Sequence, residues 1–224
     1  MADETNPIAP LTGVSQPTES GSSSPVCATK IRRFRLHARP SAVLRNLKTL
    51  LDGASIITPE LEKAVESESV SALRRLDTAA LYETITPAQS ADWLAPSWIP
   101  VEGEKKPVAL TLFVSTIGVP FENELGDALS RGEGLRSRLL TALGEELAEQ
   151  SALFVERLVA EEARQESCEL EERRLFSDPE WIRLALRVLG ADRVGISYDL
   201  VGHLSPRFTC VGVIPWGPPA KKKK

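Results

Sequence analysis

The spacing of apolar positions changes several times along this chain, and each change marks an element. Phe34, Leu36 and Ala38 alternate with Arg33, Arg35, His37 and Arg39, the period-two signature of a strand with one buried face, and Pro40 ends it. From Ser41 the period lengthens. Val43, Leu44, Leu47, Leu50 and Leu51 fall at helical spacing, with Asp52-Gly53 as the stop. A second helix opens with Thr58 as N-cap, Pro59 at its first position, and Glu60 and Glu62 where carboxylates meet the positive helix end. Its inner stripe is Leu61, Val65, Ala72, Leu73 and Leu76. Residues 84–107 carry Pro87, Pro96, Pro100 and Gly103 with Trp93 and Trp98, which predicts an irregular connector with aromatic anchors.

Residues 108–114 are apolar at nearly every position, as in a strand covered on both faces, and Ser115-Thr116-Ile117-Gly118 makes a tight exit. Helical sequence follows. Leu135, Leu139, Leu143, Leu147, Phe154 and Leu158 place a broad stripe on one helix over residues 135–163, roughly 40 Å long at about 1.5 Å per residue. Gly132-Glu133-Gly134 reads as the turn into it. Ser177 and Glu180 suggest a capping box around Asp178-Pro179, and Gly190 stops that last helix. Residues 193–199 and 208–214 are predicted as two strands around Gly202-His203-Leu204-Ser205-Pro206, with Pro215, Gly217, Pro218 and Pro219 ending the fold. Strands at the beginning, middle and end, separated by helices, predict an α+β domain on a mixed or antiparallel sheet.

Composition sets limits on this picture. The 224 residues suffice for one sizeable core. Residues 1–28 are rich in Ser, Thr, Pro and Gly and read as a disordered arm, 29–217 as the single domain, and 218–224 as a flexible tail ending in Lys221–Lys224. With 42% hydrophobic and 26% charged residues, the chain has the make-up of an ordinary soluble protein, without the apolar run of about 20 residues that a membrane helix needs. Met1-Ala2-Asp3-Glu4 shows neither a basic nor an apolar signal segment, so no membrane partner and a cytoplasmic location are expected. Cys27, Cys168 and Cys210 are odd in number and far apart, which argues against a disulfide framework and a thiolate zinc site. Cys210 reads as core filler and Cys27 as an exposed thiol in the arm.

Candidate chemistry is sparse. His37 and His203 have no carboxylate or cysteine at ligand spacing, and the chain has no G-x-S-x-G elbow, P-loop or G-x-G-x-x-G after a strand. Residues 30–35 (Lys-Ile-Arg-Arg-Phe-Arg) and the lysine tail invite a nucleic-acid reading. A solvated strand face is the better reading, because no row of aromatics accompanies the charges and the net charge is −4. Glu149 falls near the apolar stripe of the long helix, where a carboxylate needs a partner or water. No residue qualifies by spacing as a general acid, base or nucleophile.

The strand exit Val114-Ser115-Thr116-Ile117-Gly118, followed by Leu139-Leu140-Thr141-Ala142-Leu143-Gly144-Glu145-Glu146-Leu147-Ala148-Glu149, resembles the activation domain of cobalamin-dependent methionine synthase and its small standalone relatives. Val194-Gly195-Ile196-Ser197-Tyr198 with Leu204–Gly212 is similar to that family's closing hairpin, and Val43–Leu47 and Thr58–Leu61 fit its standalone forms. The resemblance covers roughly residues 31–216. It implies an α+β domain with a twisted antiparallel sheet, which binds S-adenosylmethionine and presents it to an oxidised cobalamin for reductive methylation. The family's helix glutamate, which holds the ligand's ammonium group, matches Glu149. The family's arginine and Pro-Gly-Tyr loop have no counterpart in Arg164-Gln165-Glu166-Ser167-Cys168-Glu169-Leu170, where Arg164 alone offers a fork for a carboxylate. The D-x-H-x-x-G pattern that holds cobalamin is missing too, so any cobalamin belongs to a partner, a corrinoid or methionine synthase protein. Three readings stay open: a standalone activation-type module, a ligand-free interaction or scaffolding subunit on the same fold, and a nucleic-acid binder through the basic strand.

Overall fold

The computed structural model describes residues 28–51, 58–199 and 202–218. The N-terminal arm up to Cys27, the Asp52-Gly53 stop and the lysine tail lie outside them. One antiparallel sheet organises the chain. Its order is β1 (Thr29–Arg32), β2 (Ala79–Ile85), β3 (Ala109–Thr116), β8 (Thr209–Gly217) and β4 (Glu169–Leu170), with β5 (Arg174–Leu175) also pairing on β8. β3 lies between two long neighbours, in register from Ala79↔Thr116 on one side and Ala109↔Trp216 on the other. All of its residues are buried, as the unbroken apolar run predicts.

Alternation along the strands sends side chains to two different cores. Leu81, Leu110, Leu112, Val114, Val211 and Val213 face α5 (Pro179–Leu189), meeting Ile182, Ala185, Leu186 and Leu189. Ala80, Tyr82, Phe113, Ile214 and Trp216 face the far half of α4 (Gly134–Gln165), meeting Ala152, Val155, Val159 and Ala163. The 32 residues of α4 extend about 48 Å, longer than the sheet is wide. Its near half therefore overhangs and packs Leu139, Leu140, Leu143 and Leu147 against α1 (Pro40–Leu50), α2 (Pro59–Leu73) and α3 (Val119–Ser130) through Val43, Leu47, Val65, Phe121 and Leu125. Each such side chain contributes about 1.5–3 kcal/mol on burial, so the helical core and the sheet cores are comparable supports.

Several sequence expectations are met in detail. Thr58 caps α2 by accepting from Leu61 N at 3.3 Å, Pro59 opens it, and Gly190 closes α5. The connector is two 3-10 turns, Pro87–Gln89 and Asp92–Trp98, with Trp93 and Trp98 packed on the α5-side core.

Others are corrected. The period-two stretch at 34–38 is not a strand: β1 ends at Arg32, paired with Ala79 where β2 begins, and beyond that register no strand among the described residues pairs with it. Arg33 turns at φ 56°, and Leu36 is still buried, so the alternation reflects one-sided burial without a ladder. Pro40 is the first residue of α1. β2 escaped sequence reading because its short apolar run directly follows the stripe of α2, and burial on both faces removes any alternation. Asp178, and not Ser177, caps α5, its Oδ1 accepting from Glu180 N at 2.7 Å and Trp181 N at 3.3 Å, as Pro179 at the first helical position requires. The stretch 193–199 yields only β6 (Ser197–Tyr198), a small ribbon with β7 (Leu204–Ser205), because residues 191–194 form a 3-10 turn and Gly195 is left-handed. β8 pairs with β3 instead and runs through Pro215, whose carbonyl accepts from Glu171 N at 2.9 Å.

Gly118, between β3 and α3, has φ 93° and ψ 161°, a region open essentially to glycine alone. A Cβ there would also lie 2.6 Å from the carbonyl oxygen of Asp77. Gly118→Ala is expected to lose about 1–3 kcal/mol from the backbone alone, and more from the clash. Chemical denaturation should show this as a lowered midpoint with an unchanged slope.

Candidate functional site

The middle of α4 is where the helix leaves the helical core, whose last buried α4 member is Ala148, and enters the sheet core, whose first is Ala152. Polar side chains gather at this junction. Glu146, with 2% of its side chain exposed, receives Arg39 Nε at 2.7 Å and Nη2 at 3.1 Å, plus Gln150 Nε2 at 2.9 Å. Ser151 and Ser115 share a hydrogen bond at 2.9 Å between helix and β3. The bidentate fork and the amide satisfy the carboxylate, which holds the Arg39 guanidinium above its ordinary value through hydrogen bonding and charge.

Glu149 lies one step round the helix and is 37% exposed. Its partner is Arg173, from the segment between β4 and β5, which also donates to Glu156 at 2.7 Å. Burial pulls the Arg173 guanidinium down, yet the Glu149 and Glu156 carboxylates outweigh it and leave it raised. Arg173 Nε is buried and has no acceptor among the described residues. These groups, with Leu153, Glu172 and Leu175, line a cleft of about 300 Å3, at the lower end of the range for small-molecule sites.

Arg164 is placed elsewhere. It lies about 22 Å from Glu149 along the helix axis, is 68% exposed, and bonds Glu161 at 2.7 Å and the Ala160 carbonyl at 3.2 Å. The two candidate residues are thus not brought together, and the arginine beside Glu149 is Arg173. Sequence reading missed it because a dipeptide strand after Glu171-Glu172 looks like any solvated charge run. Glu146 left a clearer signal, since Leu139, Leu143, Glu146 and Gln150 fall on one helical stripe.

The basic stretch offers no stacking platform. Lys30 and Arg32 turn onto the Arg193 carbonyl at 2.9 and 3.1 Å, and the Phe34 ring is stacked on Phe154 at 4.1 Å. Arg33, Arg35 and His37 line a separate cleft of about 480 Å3 with Leu36, Leu76 and Asp77. The cleft of about 530 Å3 at the start of α4 is walled by Arg136 bound to Glu68 and Glu133, each at 3.0 Å, so its charges are spent within the fold. Among the described residues no cluster of His, Cys, Asp and Glu could hold a metal ion, and no helix is long and apolar enough to cross a membrane.

The sequence matches no family model and no curated protein. A solved structure decides the fold. This chain has the fold of the MetH reactivation domain. The crystal structure of that domain bound to AdoHcy superposes with a TM-score of 0.56 over 90% of this chain and 82% of that chain, at 11% identity. At this identity the likeness concerns the reactivation-domain fold: a curled antiparallel sheet with flanking helices.

Two outcomes follow from the junction. Arg39→Ala leaves the Glu146 carboxylate buried without a cation, held by Gln150 and the residue 39 backbone N–H alone, so it should lower Tm more than Glu146→Gln does, and combining the two should recover part of the loss in a double-mutant cycle. Cys210, whose Sγ is 3.5 Å from the Ala148 carbonyl, has its thiol pushed up to about 11 by burial, with Glu149 adding to the push and Arg173 opposing it. An unfolded thiol ionises near 9.0, so this contribution to stability is complete below that pH and is lost as pH rises through about 11. Alkaline denaturation should be shallower in Cys210→Ala. Alkylation of Cys210 in a protein lacking Cys27 and Cys168 should shift to lower pH when Glu149 becomes Gln.

Proposed function

We propose that this chain is a methionine synthase reactivation-type module, which binds an S-adenosyl ligand in the Glu149–Arg173 cleft and presents it to a cobalamin carried by a separate protein, supporting reductive methylation of that cofactor. The observation that carries the reading is the carboxylate–guanidinium pair in a cleft on a fold shared with a domain solved with AdoHcy. S-adenosylmethionine ends in an ammonium and a carboxylate. Such a zwitterion matches the pair head to tail, ammonium on the Glu149 carboxylate and carboxylate on the Arg173 fork, in exchange for the bond the two side chains make to each other. The buried Arg173 Nε without an acceptor is a donor such a carboxylate would satisfy. In this proposal Arg173 takes the role for which Arg164 was the sequence candidate, Glu156 keeps its fork oriented, and Leu153 and Leu175 give apolar walls.

When bound, S-adenosylmethionine supplies an activated methyl group. The chain's own residues bind and orient, and none of those lining the cleft is assigned a proton-transfer role. A corrinoid or methionine synthase protein is the partner this reading calls for, and a cytoplasmic location goes with it.

A second reading has its own support. Arg173 is already answered by Glu149 and Glu156, so the cleft can close on itself, which suits an interaction subunit that has dispensed with the ligand.

Calorimetric titration with S-adenosylmethionine and S-adenosylhomocysteine separates the two. The first reading expects micromolar binding that is lost in Glu149→Ala and weakened roughly tenfold or more in Arg173→Ala. No heat and no ligand-dependent rise in Tm would leave the interaction subunit.

A further inference from the structure

Arg173 and Arg174 are consecutive, and each has its Nε buried without an acceptor among the described residues. They point to opposite faces of the sheet. Arg174 is in register with Val213, whose side chain belongs to the α5-side core, and Arg173 reaches α4 on the other face. On its own face Arg174 binds the connector. Nη1 donates to the carbonyls of Ser97 at 3.1 Å and Ile99 at 2.9 Å, and Nη2 to Glu104 Oε2 at 2.6 Å. Glu104 in turn accepts from Val101 N at 3.0 Å. That backbone bond, with Arg174, holds its carboxyl below the usual carboxylate range against the effect of burial.

β5 is only two residues long, so its own ladder gives little to fix the side chains that flank it. Its backbone is seated through Gly212, where a Cβ would lie 2.3 Å from the Arg174 carbonyl oxygen. With β5 pressed this closely on β8, a movement of either arginine is passed through one peptide unit to the other. The two orphan donors fit this constraint, since neither guanidinium can rotate to satisfy its Nε without releasing partners. Each unmet donor costs about 1–3 kcal/mol.

We infer that Arg174 and Glu104 are positioning residues for the Glu149–Arg173 cleft: the connector, gripped on one face of the sheet, sets where the Arg173 fork stands on the other. The inference rests on the proposed ligand reading for its functional meaning, though the mechanical link itself is a property of the ligand-free fold. By linkage, a ligand carboxylate on Arg173 tightens the connector to the same degree that the connector tightens the ligand.

The test uses the full chain and S-adenosylhomocysteine as probe. Glu104→Gln is expected to weaken binding roughly fivefold or more, the lower end of ordinary coupling between sites. Trp98→Phe removes the 2.7 Å Trp98 Nε1–Ser90 bond inside the connector while keeping the Ser97, Ile99 and Glu104 acceptors of Arg174, and should leave the affinity unchanged. Equal loss in both variants, or none in Glu104→Gln, overturns the inference. If the wild-type chain binds no S-adenosylhomocysteine, the ligand reading fails, and hydrogen exchange still tests the link. Glu149→Gln, which alters only the α4 side, must then speed exchange at the Val101 and Glu104 amides, and unchanged exchange there overturns it.

Discussion

One helix in contact with two cores is the constraint on which the rest of this structure depends. α4 seals one face of the sheet with its C-terminal half and anchors α1, α2 and α3 with its N-terminal half. Apolar packing can be dense only where a surface faces it, and the passage between the cores, around residues 146–151, brings Glu146, Gln150 and Ser151 inward, while Ser137 is buried at the helix start. Glu146, Glu149, Gln150 and Ser151 all belong to it. Buried charge there is tolerated because every carboxylate meets an arginine from a distant segment, Arg39 before α1 or Arg173 before β5.

Those arginines differ in consequence. Arg39 with Glu146 is a closed arrangement: the two carboxylate oxygens receive the fork, and Gln150 adds a third bond. It locks the N-terminal segment to the helix and leaves nothing to offer a ligand. Arg173 with Glu149 is open, because it sits at the rim of a cleft and retains a donor with no acceptor among the described residues. A buried ion pair contributes little net stability when its desolvation is counted, so an open pair is better understood through what it can exchange partners with. That contrast is why the proposed ligand site is at Glu149, while the Glu146 carboxylate is taken up within the fold.

The sheet carries the same division. β3 and its neighbours are sealed and rigid, while the outer side of β8 is covered only by the dipeptide strands β4 and β5. The connector at residues 86–107 acts on the same edge from the opposite face, through Arg174.

The sequence by itself determined the elements whose stabilisation is local or one-sided. The cap at Thr58, the stop at Gly190, the extent of α4 and the doubly buried β3 were legible because capping chemistry and apolar period are written in consecutive residues. It also singled out Glu149 through resemblance, and the α+β class with its antiparallel sheet. Tertiary structure decided what depends on partners distant in sequence. Ala79–Ile85 is a strand because β1 and β3 flank it, and Phe34–Ala38 is not because no strand continues beside it. Likewise, Arg173 and not Arg164 stands by Glu149, since Arg173 directly precedes β5, whose place is fixed by register with β8, and register is a property of two segments at once.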